Sequence, residues 1–222
     1  MSCFTELTLA YKKFVEAHGI HIPEGKGELI CYEAGEAFDV EHDHLYILSE
    51  GIVAFTLGEL ATVTDYKNEQ KNYCIGNLPE GMMLGLIEKY APQLPIHYVA
   101  ETTTKIVKID HRYFDAHIIK NKNDVNFVIG MLSMTIALSI DILHERSSGL
   151  GYETIRAMII RCNIKKMNGT LSDEPLSSFI LRRTRLSRSY VFRIIADLKK
   201  GGYITVIRGR LYSINRILPE KY

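Results

Sequence analysis

Apolar residues at Leu7, Tyr11, Phe14 and Val15 recur at helical spacing, which predicts one amphipathic helix over about the first 18 residues, ended by Gly19 and Pro23. From Gly27 to about Ile109 the period shortens. Runs rich in β-branched and aromatic residues, at 28–32, 45–48, 52–55, 61–64, 72–75, 97–101 and 104–109, alternate with Gly, Asn, Asp and Pro. Many short strands at this spacing predict an all-β sandwich, barrel or roll, with Gly35, Gly51, Gly58, Gly76, Gly81 and Gly85 at its corners. Asp110–Lys120 reads as a short closing helix with Tyr113, Phe114, His117 and Ile118 turned inward. Asp124–Arg146 reads as a long helix. Val125, Val128, Leu132, Thr135, Ser139 and Ile142 hold a heptad-like spacing along it, and Phe127, Ile129, Met131, Met134, Ile136, Leu138, Ile140 and Leu143 fill its other faces. A helix apolar nearly all round needs cover on more than one side. The expectation is one face on its own roll and the Val125–Ile142 stripe on the same helix of a second subunit. An internal core helix of a monomer is the alternative.

Ser147–Gly151 breaks this helix and is the expected hinge. Tyr152–Met167 is helical again, burying Ile155, Met158, Ile159, Cys162 and Ile164. After a turn at Asn168-Gly169, Thr170-Leu171 could form a short strand. Ser172 or Asp173 is expected to cap a helix that has Pro175 in its first turn, carries Leu176, Phe179 and Ile180, and runs to about Thr184. The next stretch has a start, a stop and two faces. Ser187 suits an N-cap and Gly201-Gly202 a helix end. Val191, Ile194, Ile195 and Leu198 form an apolar stripe, while Arg188, Ser189, Phe192 and Arg193 point elsewhere. Ile204–Ile207 and Leu211–Ile214 then make two strands around a Gly turn. Helix, turn, helix and hairpin in this order predict a winged helix-turn-helix. The fold class is α+β: a β-roll with its N-terminal helix over 1–120, a central dimerisation helix over 121–148 and a winged helix-turn-helix over 149–222.

Composition adds one fact that the periodicity does not hold. The formal net charge is only +1, but from Glu174 onward there are 11 Lys/Arg against 3 Asp/Glu, which leaves residues 1–173 at −7. An acidic body with a basic C-terminal module points to a polyanion at one end, and a solvated basic surface is the bland alternative. Cys3, Cys31, Cys74 and Cys162 are scattered, with no zinc or iron–sulfur spacing, and read as reduced thiols of a cytoplasmic protein. Glu6, Lys12 and Lys13 interrupt any signal-peptide pattern, and no apolar run is read as a membrane span.

The order of parts resembles the CRP/FNR superfamily of bacterial transcription regulators over nearly the whole chain. The sharpest match is Leu186-Ser187-Arg188-Ser189-Tyr190-Val191-Phe192-Arg193-Ile194-Ile195, which falls on that family's recognition helix. The resemblance implies base reading by Arg188, Ser189 and Arg193 and a phosphate contact at Ser187. Arg185 stands where the family often has a turn glycine. Residues 183–189, Gly202-Tyr203-Ile204 and Leu211–Arg216 also resemble a narrower enterobacterial group, the YaiV/IprA type, whose name denotes an inhibitor of hydrogen peroxide resistance. An arginine fork matches guanine O6 and N7, and Phe192 could touch a thymine methyl. Arg182, Arg183, Arg185, Tyr190, Lys199, Lys200, Arg208 and Arg210 are the further phosphate-contact candidates. Expected partners are double-stranded DNA, a second copy of the chain and RNA polymerase, with no membrane.

The roll resembles a cyclic-nucleotide-binding domain in outline, through Tyr46–Val53 and Gly81–Ile87. Its chemistry departs. The family's ribose-binding glutamate falls on Leu86, and the Arg-Ser pair that holds the cyclic phosphate falls near Leu94-Pro95. A cyclic phosphate needs an ion pair or a nest of donors, so no cyclic AMP is expected, nor an iron–sulfur cluster. His42 and His44, at alternate strand positions, are the one candidate metal pair; an exposed polar loop is the other reading. Cys31 or Cys74 could sense peroxide, though buried inert thiols are expected. No catalytic constellation stands out, and the chain is not expected to be an enzyme. The rival function is a cupin-like metal-binding or small-molecule-binding protein with a basic partner-binding module.

Overall fold

The computed structural model describes residues 3–57, 73–147, 151–167, 169, 171 and 174–222. The expected strand at 61–64, the corner Gly58, the cap candidates Ser172 and Asp173, and Ser148–Leu150 of the expected hinge lie outside the described residues. The chain divides into two compact units: of the described residues, the first takes 3–57 and 74–138, and the second takes Tyr73 together with those from Ser139 onward.

The first unit opens with α1 (Cys3–His18), whose Tyr11 is almost wholly buried. The roll follows: β1 (Glu28–Tyr32), β2 (Ala37–Phe38), β3 (His44–Glu50), β4 (Val53–Leu57), β5 (Tyr73–Leu78), β6 (Met83–Leu84), a short α2 (Leu86–Tyr90), β7 (Ile96–Ala100) and β8 (Thr104–Asp110). Two four-stranded sheets result, in the orders β1-β8-β3-β6 and β2-β7-β4-β5, and the pairings within them are antiparallel wherever a register is described. β3 lies inside its sheet, and Leu45 through Leu48 are all buried. At the corner after it, Gly51 has φ +97°, and a Cβ there would lie 2.6 Å from the Thr103 carbonyl oxygen, so only glycine fits without a shift. The strands β2 and β6 and the helix α2 were not expected. Two to five residues are too few to display a period.

The closing helix is partly π. α3 (His111–Tyr113) continues as a π turn, Phe114–Ile118, in which the Ile119 N–H donates to the Phe114 carbonyl oxygen at 3.0 Å. Phe114 and Ile118 are buried as expected. His117 is exposed, against expectation, because the widened turn moves it off the inward face.

α4 (Lys122–Ser147) is the long helix. Phe127, Val128 and Met131 belong to the roll's core, and Phe14 of α1 stacks on Phe127 with ring centroids 5.4 Å apart. This corrects the expected seam. Val128 is 5% exposed and lies in the roll's core. Val125 and Ile142 are half-buried, and the Thr135 hydroxyl bonds the Met131 carbonyl oxygen at 2.8 Å. The uncovered apolar positions sit one step round the helix, at Ile129, Leu132, Ile136, Ile140 and Leu143, and only Leu132 is shared with the expected stripe. A second correction concerns length. Lys122–His144 is long and apolar enough to cross a membrane by those two criteria alone.

The second unit holds α5 (Gly151–Met167), α6 (Leu176–Leu181), α7 (Arg188–Lys200) and a two-stranded sheet of β9 (Ile204–Ile207) with β10 (Arg210–Ile214). Its core gathers Ile155, Met158 and Ile159 of α5, Phe179 and Ile180 of α6, and Val191 and Ile194 of α7, with Leu211 of the hairpin. Ile164 is only half-buried, and Leu171 is not in a strand. Pro175 is the N-cap of α6 rather than part of its first turn: with ψ 146° it is extended, and the helix starts one residue later and ends at Leu181.

Gly130 lies under the Phe14 ring, and a Cβ there would be 2.3 Å from Phe14 Cζ. Gly130→Leu supplies good helix propensity, so its effect isolates the steric clash. It should destabilise the chain by about 1–3 kcal/mol, read as a lower urea midpoint.

Candidate nucleic-acid interface

α7 begins where its sequence says it should. Ser187 is extended (φ −70°, ψ 146°), and its hydroxyl accepts from the Tyr190 N–H at 3.4 Å. The stop differs in detail. Gly201 keeps a helical φ of −74°, and Gly202 takes the left-handed conformation at φ +71°. Between these ends the helix divides cleanly. Val191, Ile194, Ile195 and Leu198 are buried, each worth about 1.5–3 kcal/mol when taken out of water. Arg188, Ser189, Phe192 and Arg193 are exposed, and Phe192 keeps 53% of its surface open to solvent. The Arg193 guanidinium sits 5.2 Å from the Tyr190 ring centroid, which limits its wandering.

The phosphate candidates divide too. Arg185, Ser187, Lys199, Lys200, Arg208 and Arg210 are exposed, and Tyr190 is half-buried. Arg183 contradicts its expected role. Its side chain is 2% exposed, and it donates to Glu174 Oε1 at 3.0 Å and to the Phe179 carbonyl oxygen at 3.1 Å. Its guanidinium also lies 3.9 Å from the Phe179 ring centroid. Arg182, 13% exposed, faces the other oxygen of Glu174 at 3.5 Å. Two of the basic residues before α7 thus brace α6 internally. The signal in sequence was Glu174 itself, an acid just ahead of the basic segment that begins at Arg182.

Two contacts on α7 were not anticipated. Gly151, the first residue of α5, abuts Tyr190: a Cβ there would lie 2.7 Å from the ring. At the other end, the Tyr222 hydroxyl donates to the Asp197 carboxylate, and Tyr222 stacks on Tyr152 at 5.5 Å. That hydrogen bond, with some burial, raises the phenol pKa.

The other candidate chemistry maps onto the first unit. His42 lies in a turn rather than on β3, so it does not alternate with His44. The ligand atoms that do cluster belong to Glu41, Asp43 and His44, within 4.8 Å of one another. Asp43 Oδ1 is 2.6 Å from His44 Nδ1, and Glu41 is already engaged by the Lys108 ammonium at 2.5 Å. The Lys108 hydrogen bond holds Glu41 below its usual carboxylate pKa. Cys74 is fully buried, and burial pushes the Cys162 thiol up to about 12. Cys31 is exposed, against the expectation of burial, and pairs across the sheet with Lys105. A cleft of about 510 Å³ is lined by residues that include Phe14, His18, Asn123, Asp124 and Phe127, and none of its lining residues belongs to the segments expected to correspond to a cyclic-nucleotide site.

Residues 151–220 match the family described as winged helix-turn-helix DNA binding. The "Inhibitor of hydrogen peroxide resistance" of Salmonella typhimurium is 51% identical over 71 residues, 32% of this chain, and the chain spans 33% of that relative's length. Among solved structures, a CRP-family transcriptional regulator from Thermus thermophilus superposes with a TM-score of 0.63 at 18% identity, covering 84% of this chain and 92% of that one. The c-di-GMP-responsive global regulator of Xanthomonas campestris gives 0.58 at 13% identity over 94% and 100%. The chain therefore has the fold of the CRP/FNR regulators, a β-roll followed by a C-terminal winged helix-turn-helix.

Glu174→Ala should leave Arg183 as a buried, uncompensated charge and cost about 3–5 kcal/mol, with Glu174→Gln losing less. Thermal denaturation followed by circular dichroism measures the order of the three proteins.

Proposed function

We propose that the chain is a sequence-specific DNA-binding transcriptional regulator of the CRP/FNR type, acting as a homodimer on a near-palindromic site. The observation that carries this is the division of α7, which faces Val191, Ile194, Ile195 and Leu198 into the core and Arg188, Ser189, Phe192 and Arg193 out of it. A helix held from behind, with arginines at its exposed N-terminal end, fits the major groove and can reach base edges. Arg188 and Arg193 read guanines, while Arg185, Ser187, Tyr190, Lys199, Lys200, Arg208 and Arg210 serve the phosphates.

The dimer reading rests on α4. Ile129, Leu132, Ile136, Ile140 and Leu143 follow steps of three and four, the spacing of a coiled-coil seam, and all are exposed. A bilayer fits this helix poorly. Its face is a stripe rather than a sleeve, and near its end Asp141 pairs with the buried Arg161 at 3.2 Å. A second copy covers a stripe of this width, and twofold symmetry suits DNA half-sites spaced by about one helical turn.

The roll works without cyclic AMP in this reading. Leu86, at the position of the family's ribose-binding acid, is buried in the roll's core, and Leu94-Pro95 offers no charged donor for a cyclic phosphate. The regulator is cytoplasmic, acts by binding rather than catalysis, and works on promoters with RNA polymerase as its eventual partner. The name of the Salmonella relative points the regulated genes towards peroxide stress.

In an electrophoretic mobility assay on promoter fragments, binding should weaken steeply between two salt concentrations. Arg188→Ala should cost about 1–3 kcal/mol and relax preference at one base pair, whereas Lys199→Ala should weaken all sequences alike. Unchanged base preference in Arg188→Ala would remove α7 from the reading role. Separately, Ile136→Glu puts a charge in the seam; sedimentation should show a monomer and binding to the full palindrome should be lost.

A further inference from the structure

α7 carries a single acid, Asp197, four residues after Arg193 and one turn before the helix ends. Two effects oppose a carboxylate there. The C-terminal end of a helix dipole favours cations, and a nucleic-acid backbone repels anions. Side chains four apart on a helix are neighbours, so Asp197 is also the nearest ion-pair partner that the sequence offers Arg193. That pair is not made. Among the described residues Arg193 pairs with no acid, and its guanidinium lies by the Tyr190 ring instead. The Asp197 carboxylate is held by the Tyr222 hydroxyl, which donates to it.

Tyr222 is itself anchored. Leu218 is 3% exposed and belongs to the core of the second unit. The Tyr152 hydroxyl, in the first turn of α5, donates to the Pro219 carbonyl oxygen at 2.9 Å, and the Tyr152 ring stacks on that of Tyr222. The Tyr222 ring still leaves 60% of its surface open, so burial does not account for its place. Residues 218–222 thus form a strap that leaves the core, passes the start of α5 and ends on a carboxylate of α7. The Asp197 hydrogen bond raises the Tyr222 pKa while the nearby Arg193 charge pulls it down, so hydroxyl, carboxylate and guanidinium lie close together.

We propose that Tyr222 is a positioning residue for base reading: by holding Asp197 it keeps the Arg193 guanidinium free for the nucleic acid. The inference rests on the DNA-binding reading above. A guanidinium tied to a carboxylate of its own helix has fewer donors left for the O6 and N7 of a guanine. A phenol removes that competitor without adding a charge, which a lysine in its place would do. Without the hydroxyl, Asp197 turns back to Arg193. An exposed ion pair is weak, so the competition amounts to about two- to fivefold in DNA affinity.

The test uses the full chain and a duplex selected from a random pool, with each base pair of the selected site then changed singly. Arg193→Ala identifies the base pair that Arg193 reads. Tyr222→Phe keeps the ring and its stack on Tyr152, so circular dichroism should show an unchanged fold. It should bind the selected duplex about two- to fivefold more weakly and lose discrimination at that one base pair. Adding Asp197→Asn removes the competing charge, and the double variant should recover the wild-type discrimination. A strap that served only packing would not be rescued in this way. Tyr222→Phe that stays impaired in the Asp197→Asn background, that loses the same factor on every duplex, or that discriminates like the wild type overturns the proposal. So does Arg193→Ala with every base preference intact. A selected site that responds to Arg188→Ala while Tyr222→Phe is silent overturns this inference alone, whereas no selected site at all overturns the DNA-binding reading with it.

Discussion

Val191, Ile194, Ile195 and Leu198 must leave water, and that demand orients everything outside them on α7. The four side chains occupy one stripe, so a rotation of the helix that brought Arg188 or Arg193 inward would expose the same stripe it now hides. The free energy at stake, about 1.5–3 kcal/mol for each side chain, exceeds what any surface ion pair could supply against it. The Ser187 cap at one end and Gly202 at the other fix where the helix begins and stops. Direction, phase and length of the basic face are thus all consequences of local rules.

The same demand operates on α4 with a different outcome. Its apolar residues exceed what the roll can cover. Phe127, Val128 and Met131 are absorbed into the first unit's core, and Ile129, Leu132, Ile136, Ile140 and Leu143 are left over. It is this uncovered stripe of large aliphatic side chains that supports the proposed dimer. The Thr135 and Ser133 hydroxyls beside it are bonded back to the carbonyls of Met131 and Ile129.

Sequence periodicity revealed much of this and missed the rest for physical reasons. Helices with a strong period and strands marked by a β-branched or aromatic run between turn residues were readable: α1, β1, α7 and β9 fall where the pattern put them. Two-residue strands such as β2 were invisible because a period needs repetition. The phase of α4 was misjudged because a helix apolar on nearly every face has no unique stripe; only the position of Phe14 and the roll decides that Val128 goes in and Ile129 stays out. On the candidate interface, Arg188, Ser189, Phe192 and Arg193 were legible from amphipathicity. Arg183 was not, because a run of arginines looks like solvent-facing charge until Glu174 is found beside one of them. His42 failed for a third reason, since alternation applies only within a strand and the residue lies before one.

The Glu174 bridge changes what the basic segment means in solution. Duplex DNA carries a sheath of condensed cations, and a bound protein gains entropy by freeing roughly 0.9 of a cation for every phosphate it neutralises. From Glu174 onward the chain has 11 basic side chains, but Arg183 is sealed in the core and Arg182 is turned to the same carboxylate. Neither can expel a cation from the sheath. In the DNA-binding reading proposed above, the module's thermodynamic charge is therefore smaller than its formal charge, and its grip on arbitrary DNA would be weaker than composition suggests. If the chain is the regulator proposed, having less to gain from any stretch of duplex would let it leave wrong sites sooner, and part of its selectivity would lie in the two arginines turned to Glu174.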